Sequence, residues 1–223
     1  MTVTNSDAEE QPSPGGSRQQ QKEQTRRRIA ATAMQLFAER GFSQVTVAEV
    51  ADAAGVTEKT VFNHFASKED LVYAQDQAFE TALLDAVTSR PPGISAFDAV
   101  RTFLLSTYAR FPGEAAVQRR ATALATLIAA SPALRARERE ILARYATSLR
   151  DRLAADSGAR PGDLRPAVAA DAIIAVHQAV IAGHRAGLLA GEPTQRLSRR
   201  MRAAATEAFE LLGRGLSGFG PVR

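Results

Sequence analysis

The sequence predicts an all-α protein, and three observations lead to that prediction. Apolar residues recur at intervals of three and four along most of the chain, which is the period of a helix that buries one face. Aromatic residues make up only 6 % of the 223 residues and Trp is absent, so the core relies on Ala, Leu, Val and Ile. These side chains suit closely packed helices. We find no segment with the alternating pattern of a β-strand.

Composition excludes several classes of protein. The chain has no Cys, which excludes disulfides, thiol chemistry and Cys-based metal sites. The N-terminus lacks the apolar region of a secretory signal, and no run of about 18 apolar residues is present. We therefore expect a cytoplasmic protein with no membrane partner.

The first elements are a tail and a helix. Residues 1–21 are polar and rich in Pro, Gly, Ser and Gln, which predicts a disordered tail. In the segment after it, Ile29, Ala33 and Phe37 recur at helical spacing. Gly41 follows where a left-handed C-terminal cap is expected, so the first helix ends there.

Two short helices come next. Thr46, with Glu49 three residues later, forms the pattern of a capping box that opens the second helix. Gly55 ends this helix after about two turns, and Thr57 is placed to cap the third. Two such helices joined at a Gly are typical of a helix-turn-helix.

The remaining elements are also predicted to be helical. Ser67 and Asp70 indicate the start of a long fourth helix that Pro91 ends. Five more helices are expected at about 94–111, 114–130, 132–156, 166–190 and 194–216. The predicted organisation is a disordered tail (1–21), a three-helix helix-turn-helix domain (22–70), a larger helical domain (71–217) and a short tail (218–223).

The third predicted helix carries an unusual mixture of polar side chains. Its stripe is distinct from Val61 and Phe65, which face inward, and consists of Lys59, Thr60, Asn63 and His64. Lys prefers guanine, Asn prefers adenine, and Thr offers a methyl group to thymine in a DNA major groove. The alternative is a solvated helix face, and for His64 a local hydrogen bond.

Positive charge is concentrated before this region. The net charge is +4 with a pI near 9.9, and Arg26, Arg27 and Arg28 are consecutive. A cluster of this kind favours contact with DNA phosphates. A solvated helix start explains it equally well.

Residues 25–71, with LFAERGF, VTVAEVADAAGVTEKTVFNHF and SKEDL, resemble the DNA-binding domain of TetR-family transcriptional regulators. The resemblance implies a recognition helix over Thr57–His64, including Glu58, that binds a double-stranded DNA operator. It also implies phosphate contacts from Thr46 and Lys68. Phe62 departs from the family, which commonly has a Tyr whose hydroxyl reaches a phosphate. Phe62 keeps the packing but not that hydrogen bond.

The rest of the chain matches the family weakly, but its length and helix count agree with it. The resemblance implies a homodimer that forms through the last two long helices, although these faces also suit the intramolecular core. It further implies a repressor released by a small-molecule effector, apolar or acyl-CoA-like. The candidate ligand-binding residues are Phe103, Tyr108, Arg110, Phe111, Leu124, Ile128, Tyr145 and His177. Core packing is the competing interpretation for each of them. Arg101 and Arg110 suggest an anionic ligand.

No enzymatic or metal-binding pattern is present. His177 and His184 lie seven residues apart on one predicted helix, which is too far for shared ligation of a metal ion. The sequence has none of the common hydrolase motifs. We therefore expect a protein that is not an enzyme and has no metal or other cofactor. The alternative to a regulator is a small-molecule binding protein with a vestigial DNA-binding domain.

Overall fold

The computed structural model describes residues 14–109 and 115–216, and the regular elements in these two ranges are helices. They are α1 (Pro14–Arg40), α2 (Val47–Ala53), α3 (Glu58–His64), α4 (Asp76–Thr88), α5 (Ala96–Ala109), α6 (Ala115–Ala130), α7 (Pro132–Ser157), α8 (Arg165–Leu189) and α9 (Thr194–Leu216). One turn of 3₁₀ helix, Glu69–Leu71, lies between α3 and α4. The predicted all-α class is confirmed.

The chain divides into two compact units, Met1–Ala74 and Gln75–Arg223. The first unit holds α1 to α3 and the 3₁₀ turn, and the second holds α4 to α9. The division falls after Ala74, whereas we expected it after residue 70. The reason is that Leu71 is 1 % exposed and the 3₁₀ turn that carries it packs on α1.

The N-terminal helix is longer than expected. α1 begins at Pro14, so the prediction of a disordered tail is wrong for residues 14–21. Proline fits the first turn of a helix, and the Gln, Lys and Glu residues that follow have unbranched side chains with good helix propensity. The tails expected over residues 1–13 and 218–223 lie outside the described residues.

The first unit has a small core between its three helices. Ile29, Ala33 and Phe37 of α1 are fully buried, as their spacing predicted. α2 packs on both α1 and α3, and Val50 of α2 and Val61 of α3 are also buried. The helices α2 and α3 are short, so these contacts rather than intrinsic propensity hold them together.

The helix-turn-helix forms as its capping residues predict. The Thr46 hydroxyl accepts from the Glu49 N–H (3.2 Å), and the Glu49 carboxylate accepts from the Thr46 N–H (2.7 Å). Gly55, at φ 64°, makes the turn into α3 in a conformation that other residues rarely adopt. The Thr57 hydroxyl then caps α3 by accepting from the Thr60 N–H at 3.1 Å. The predicted capping box is confirmed.

The predicted long fourth helix is interrupted. Ser67 and Asp70 cap each other as expected, but they open the 3₁₀ turn, and α4 begins at Asp76. The Ala74 carbonyl accepts from the Arg26 guanidinium at 3.1 Å. The first backbone hydrogen bond of α4 therefore uses the carbonyl of Gln75, one residue after Ala74, which accepts from the Phe79 N–H at 3.0 Å.

α8 is the central helix of the second unit and packs on α6, α7 and α9. It is long and apolar enough, by length and composition alone, to cross a membrane, and 44 % of its most apolar stretch is buried inside the protein. α9 approaches it closely at Gly187, where an added Cβ would lie 2.3 Å from a methyl group of Leu197. A side chain at position 187 would therefore displace the buried side chain of Leu197.

An aromatic stack lies in the core of this unit. The His177 ring lies between Phe79 of α4 and Tyr108 of α5, with centroid distances of 4.9 and 5.9 Å and interplanar angles of 17° and 14°. His177 Nδ1 shares a hydrogen bond of 3.0 Å with the Tyr108 hydroxyl. Burial lowers the pKa of His177 to about 4, so its imidazole is neutral at pH 7.

A buried ion pair joins the ends of α4 and α7. Arg90 donates two hydrogen bonds of 2.8 and 2.7 Å to the Asp156 carboxylate, and the two side chains are 0 % and 4 % exposed. Arg90 also donates to the backbone carbonyls of Val87 and Ile94. Its guanidinium is therefore compensated although it lies in the interior.

We predict that Asp156→Asn lowers the free energy of unfolding by about 3–5 kcal/mol, because it leaves the buried Arg90 charge unpaired. Urea unfolding followed by circular dichroism measures this. Glu23→Gln is the matched control, since the pair of Glu23 with Arg27 is 45 % and 70 % exposed and should contribute under about 1 kcal/mol. Equal losses in the two variants would contradict the prediction.

A second prediction concerns pH. The pKa of His177 is about 4 in the folded protein against 6.5 when unfolded, so the unfolded state binds more protons between these values. The stabilisation is fully present above about pH 6.5 and is lost as pH falls toward 4, by about 3 kcal/mol. In His177→Gln, which keeps a hydrogen-bond acceptor for Tyr108, this part of the pH dependence should be absent. Parallel stability curves for the two proteins would refute it.

Candidate functional site

The third helix presents a polar face to solvent. Lys59 in its first turn and Asn63 in its last turn are exposed, and so are Thr57 and Glu58 at its start. Thr60 and His64 are half-buried, while Val61 and Phe65 are 1 % and 2 % exposed and face the core. The structure thus brings the predicted recognition residues together on one accessible face. Phe62 lies on the flank of this face and is 52 % exposed.

The C-terminal end of α3 is held by an Arg for which we expected a different role. The guanidinium of Arg26 donates to the His64 carbonyl and to the Ala74 carbonyl, and lies 4.2 Å from the Phe65 ring centroid. We predicted a phosphate contact for Arg26 together with its two neighbours. The structure separates the three, because Arg26 is engaged inside the unit.

The two other arginines remain at the surface. Arg27 is exposed and its guanidinium pairs with Glu23 at 2.8 Å, one turn earlier on α1. Arg28 is exposed as well. Both positions keep the accessibility that a phosphate contact needs.

Two further predicted phosphate contacts have internal partners. The exposed Thr46 hydroxyl is occupied in the capping box of α2. The Glu49 carboxylate receives the Thr46 N–H and the Arg40 guanidinium, which hold its pKa at about 2. Lys68 Nζ donates to the Phe42 carbonyl and lies 4.3 Å from the Phe42 ring centroid. Partial burial lowers the pKa of Lys68.

His64 lies at the edge of the polar face. Burial lowers its pKa, and the positive charges of Lys22 and Arg26 act in the same direction. The imidazole is therefore neutral at pH 7, a state in which one ring nitrogen donates and the other accepts a hydrogen bond.

The candidate ligand residues fall into separate groups. Phe103, Tyr145 and His177 surround Phe79, whose ring centroid lies 5.6 Å from Phe103 and 5.2 Å from Tyr145. Tyr108 joins this group through His177, on which its ring stacks. The sequence reasoning missed Phe79. Its spacing with Leu83 and Val87, which places all three on one face of α4, is the signal that could have revealed it.

Leu124 and Ile128 belong to a different place, a pocket of about 250 Å³ between α6 and α8. Its other lining residues are Ala121, Ala125, Ile181, His184, Arg185 and Leu188. Burial lowers the pKa of His184, and Arg185 is paired with Glu138. Arg110 and Phe111 lie outside the described residues.

The arginines near these groups offer little free positive charge to an anionic ligand. Arg185 is paired with Glu138, and Arg101 lies 3.0 Å from Asp98. The pairing of Arg101 with Asp98 removes much of the support for the anionic ligand that the sequence suggested. The walls of the α6–α8 pocket are mainly aliphatic.

Comparison with known proteins identifies the first unit. The family model for bacterial regulatory proteins of the tetR family matches residues 29–74. The HTH-type transcriptional regulator TcmR of Streptomyces glaucescens is 35 % identical over 89 residues, which cover 40 % of this chain and 39 % of TcmR. The HTH-type transcriptional repressor KstR2 of Rhodococcus jostii is 52 % identical over 44 residues, 20 % of each chain. The matches thus span about two fifths or less of the length of these curated relatives.

The fold is shared over more of the chain. SmeT, in its complex with triclosan, superposes with a TM-score of 0.56 at 18 % identity, covering 88 % of this chain and 92 % of SmeT. An identity this low shows likeness of fold alone. The family model and the curated relatives therefore place the similarity to tetR-family regulatory proteins in residues 29–74 and the segment around them, and the superposition shows that the fold of SmeT is shared over 88 % of this chain.

Proposed function

We propose that the protein is a cytoplasmic homodimeric repressor that binds a palindromic DNA operator through α3 and is released by a small molecule bound in the second unit. The observation that carries the proposal is the exposed face of α3, where Lys59 and Asn63 stand clear of the core. Side chains of these types hydrogen-bond to base edges in the major groove. Repression agrees with the name of KstR2, whose similarity covers only a short part of each chain.

Dimerisation is supported by α8. Its solvent face is mainly apolar: Val168 is 59 % and Leu189 47 % exposed, and small side chains, among them Ala175 and Ala179, lie between them. On α9, Leu211 is 70 % exposed. Small side chains allow close helix approach, so two copies related by a two-fold axis would cover these faces. A seven-residue recognition helix also reads few bases, whereas a dimer reads two half-sites about one turn apart.

The α6–α8 pocket supports a small-molecule effector. It is lined by aliphatic side chains with a few polar groups, as ligand sites commonly are. Release from DNA requires that the effector bind better to a form of the dimer that fits the operator poorly. A 100-fold loss of DNA affinity corresponds to about 2.7 kcal/mol of such preference.

The proposal predicts that Lys59→Ala and Asn63→Ala each weaken binding to the selected site while the protein stays folded and dimeric. Each variant removes one base-reading side chain per half-site, worth about 1–3 kcal/mol. The protein is first used to enrich bound sequences from genomic fragments, and affinities for the recovered site are then measured by fluorescence anisotropy. Wild-type affinity in both variants would refute the recognition-helix assignment and favour a binding protein with a vestigial DNA-binding domain.

A separate prediction distinguishes the three consecutive arginines. Neutralising Arg27 and Arg28 should weaken binding to every DNA sequence. The slope of log affinity against log salt concentration should fall by about one for each phosphate that is no longer neutralised. Arg26→Met is the matched comparison. It should lower the melting temperature of the first unit, because Arg26 bonds two backbone carbonyls there. An unchanged salt dependence in the variant without Arg27 and Arg28 would contradict the assignment.

A further inference from the structure

Phe62 is an exposed aromatic residue on a helix face that is otherwise polar. It is 52 % exposed, and Glu58, Lys59 and Asn63 around it are exposed as well. The inward side of α3 is already filled by Val61 and Phe65, which are 1 % and 2 % exposed. The packing of α3 on the core therefore rests on those two residues and does not require the Phe62 ring.

The position of Phe62 on the helix determines what it can reach. Successive residues of an α-helix are about 100° apart, so Phe62 lies on the flank between the buried Phe65 and the exposed Lys59. If Lys59 and Asn63 point to the floor of a major groove, this flank faces the edge of the groove. The Phe62 ring then provides an apolar contact beside Lys59 and Asn63, whose side chains form hydrogen bonds.

The chemistry of the ring restricts its partner. A phenyl group neither donates nor accepts conventional hydrogen bonds, so placing it against the polar edges of guanine, cytosine or adenine would remove water without replacement. Thymine differs, because its C5-methyl group projects into the major groove and offers an apolar contact. A phosphate, by contrast, would receive neither a hydrogen bond nor a positive charge from Phe62.

We propose that Phe62 contacts the C5-methyl group of one thymine in each half-site and so selects thymine at that position. This inference rests on the proposed function. It adds a specificity residue that reads by apolar contact, beside Lys59 and Asn63, which read by hydrogen bonds.

The test removes the methyl group from the DNA. The full-length protein selects its site from random duplexes, and each thymine of the recovered site is replaced in turn by deoxyuridine, which pairs identically but lacks the methyl. Dissociation constants are measured for the wild type, Phe62→Ala and, as matched control, Asn63→Ala. Circular dichroism confirms that the variants are folded.

One thymine per half-site should lose about fourfold in affinity on replacement, the effect of one buried methyl group. This loss should persist in Asn63→Ala and vanish in Phe62→Ala. The inference is overturned if deoxyuridine has no effect at any position, or if Phe62→Ala loses as much as the wild type; in both cases DNA binding itself stands. If no sequence is enriched, the proposed function fails together with the inference.

Discussion

A helix of seven residues is too short to persist in water without help, so α3 depends on what is attached to its two ends and its inner side. Thr57 caps the first turn, and Arg26 satisfies the carbonyl of His64 at the last. Val61 and Phe65 bury the inner side. Arg26 contacts the most distant parts of the chain, because its one guanidinium joins α1 to the end of α3 and to the segment before α4.

The second unit is held by polar groups paired inside an aliphatic core. Arg90 and Asp156 join the end of α4 to α7, while Tyr108 and His177 join α5 to α8. The Tyr145 hydroxyl donates to the Asp76 carbonyl at 3.1 Å. Such pairs must form with the correct geometry or leave buried charges and donors uncompensated. They therefore select one helix arrangement where many arrangements of Ala and Leu would bury similar area.

Local patterns were predicted well because local chemistry decides them. The capping pairs Thr46 with Glu49 and Ser67 with Asp70 formed, since each needs only neighbours in sequence. Contacts between distant residues were not predictable. Arg144 illustrates this: Glu140 lies four residues before it on α7, at the spacing of a helical ion pair, yet Arg144 binds Asp76 and Glu80 of α4. Those carboxylates are 12 % and 15 % exposed against 65 % for Glu140, so they have more need of a partner.

The candidate site shows the same limit. Polar residues on one face of α3 follow from helix periodicity, and their exposure agrees with it. The different contacts of Arg26, Arg27 and Arg28 do not follow from helix periodicity. The three side chains are identical, and they differ only in their direction and in the residues that the folded chain places beside them. Phe79 was overlooked for a related reason, since its aromatic neighbours come from three other helices.

The attachment of α3 has a consequence for how such a protein diverges. The residues that hold α3 in place are Thr57, Val61, Phe65 and the distant Arg26. The side chains of Lys59, Phe62 and Asn63 are exposed to solvent. Mutations at these three positions can therefore accumulate with little effect on stability. If α3 reads DNA as proposed, its target sequence can change one residue at a time while the domain stays folded.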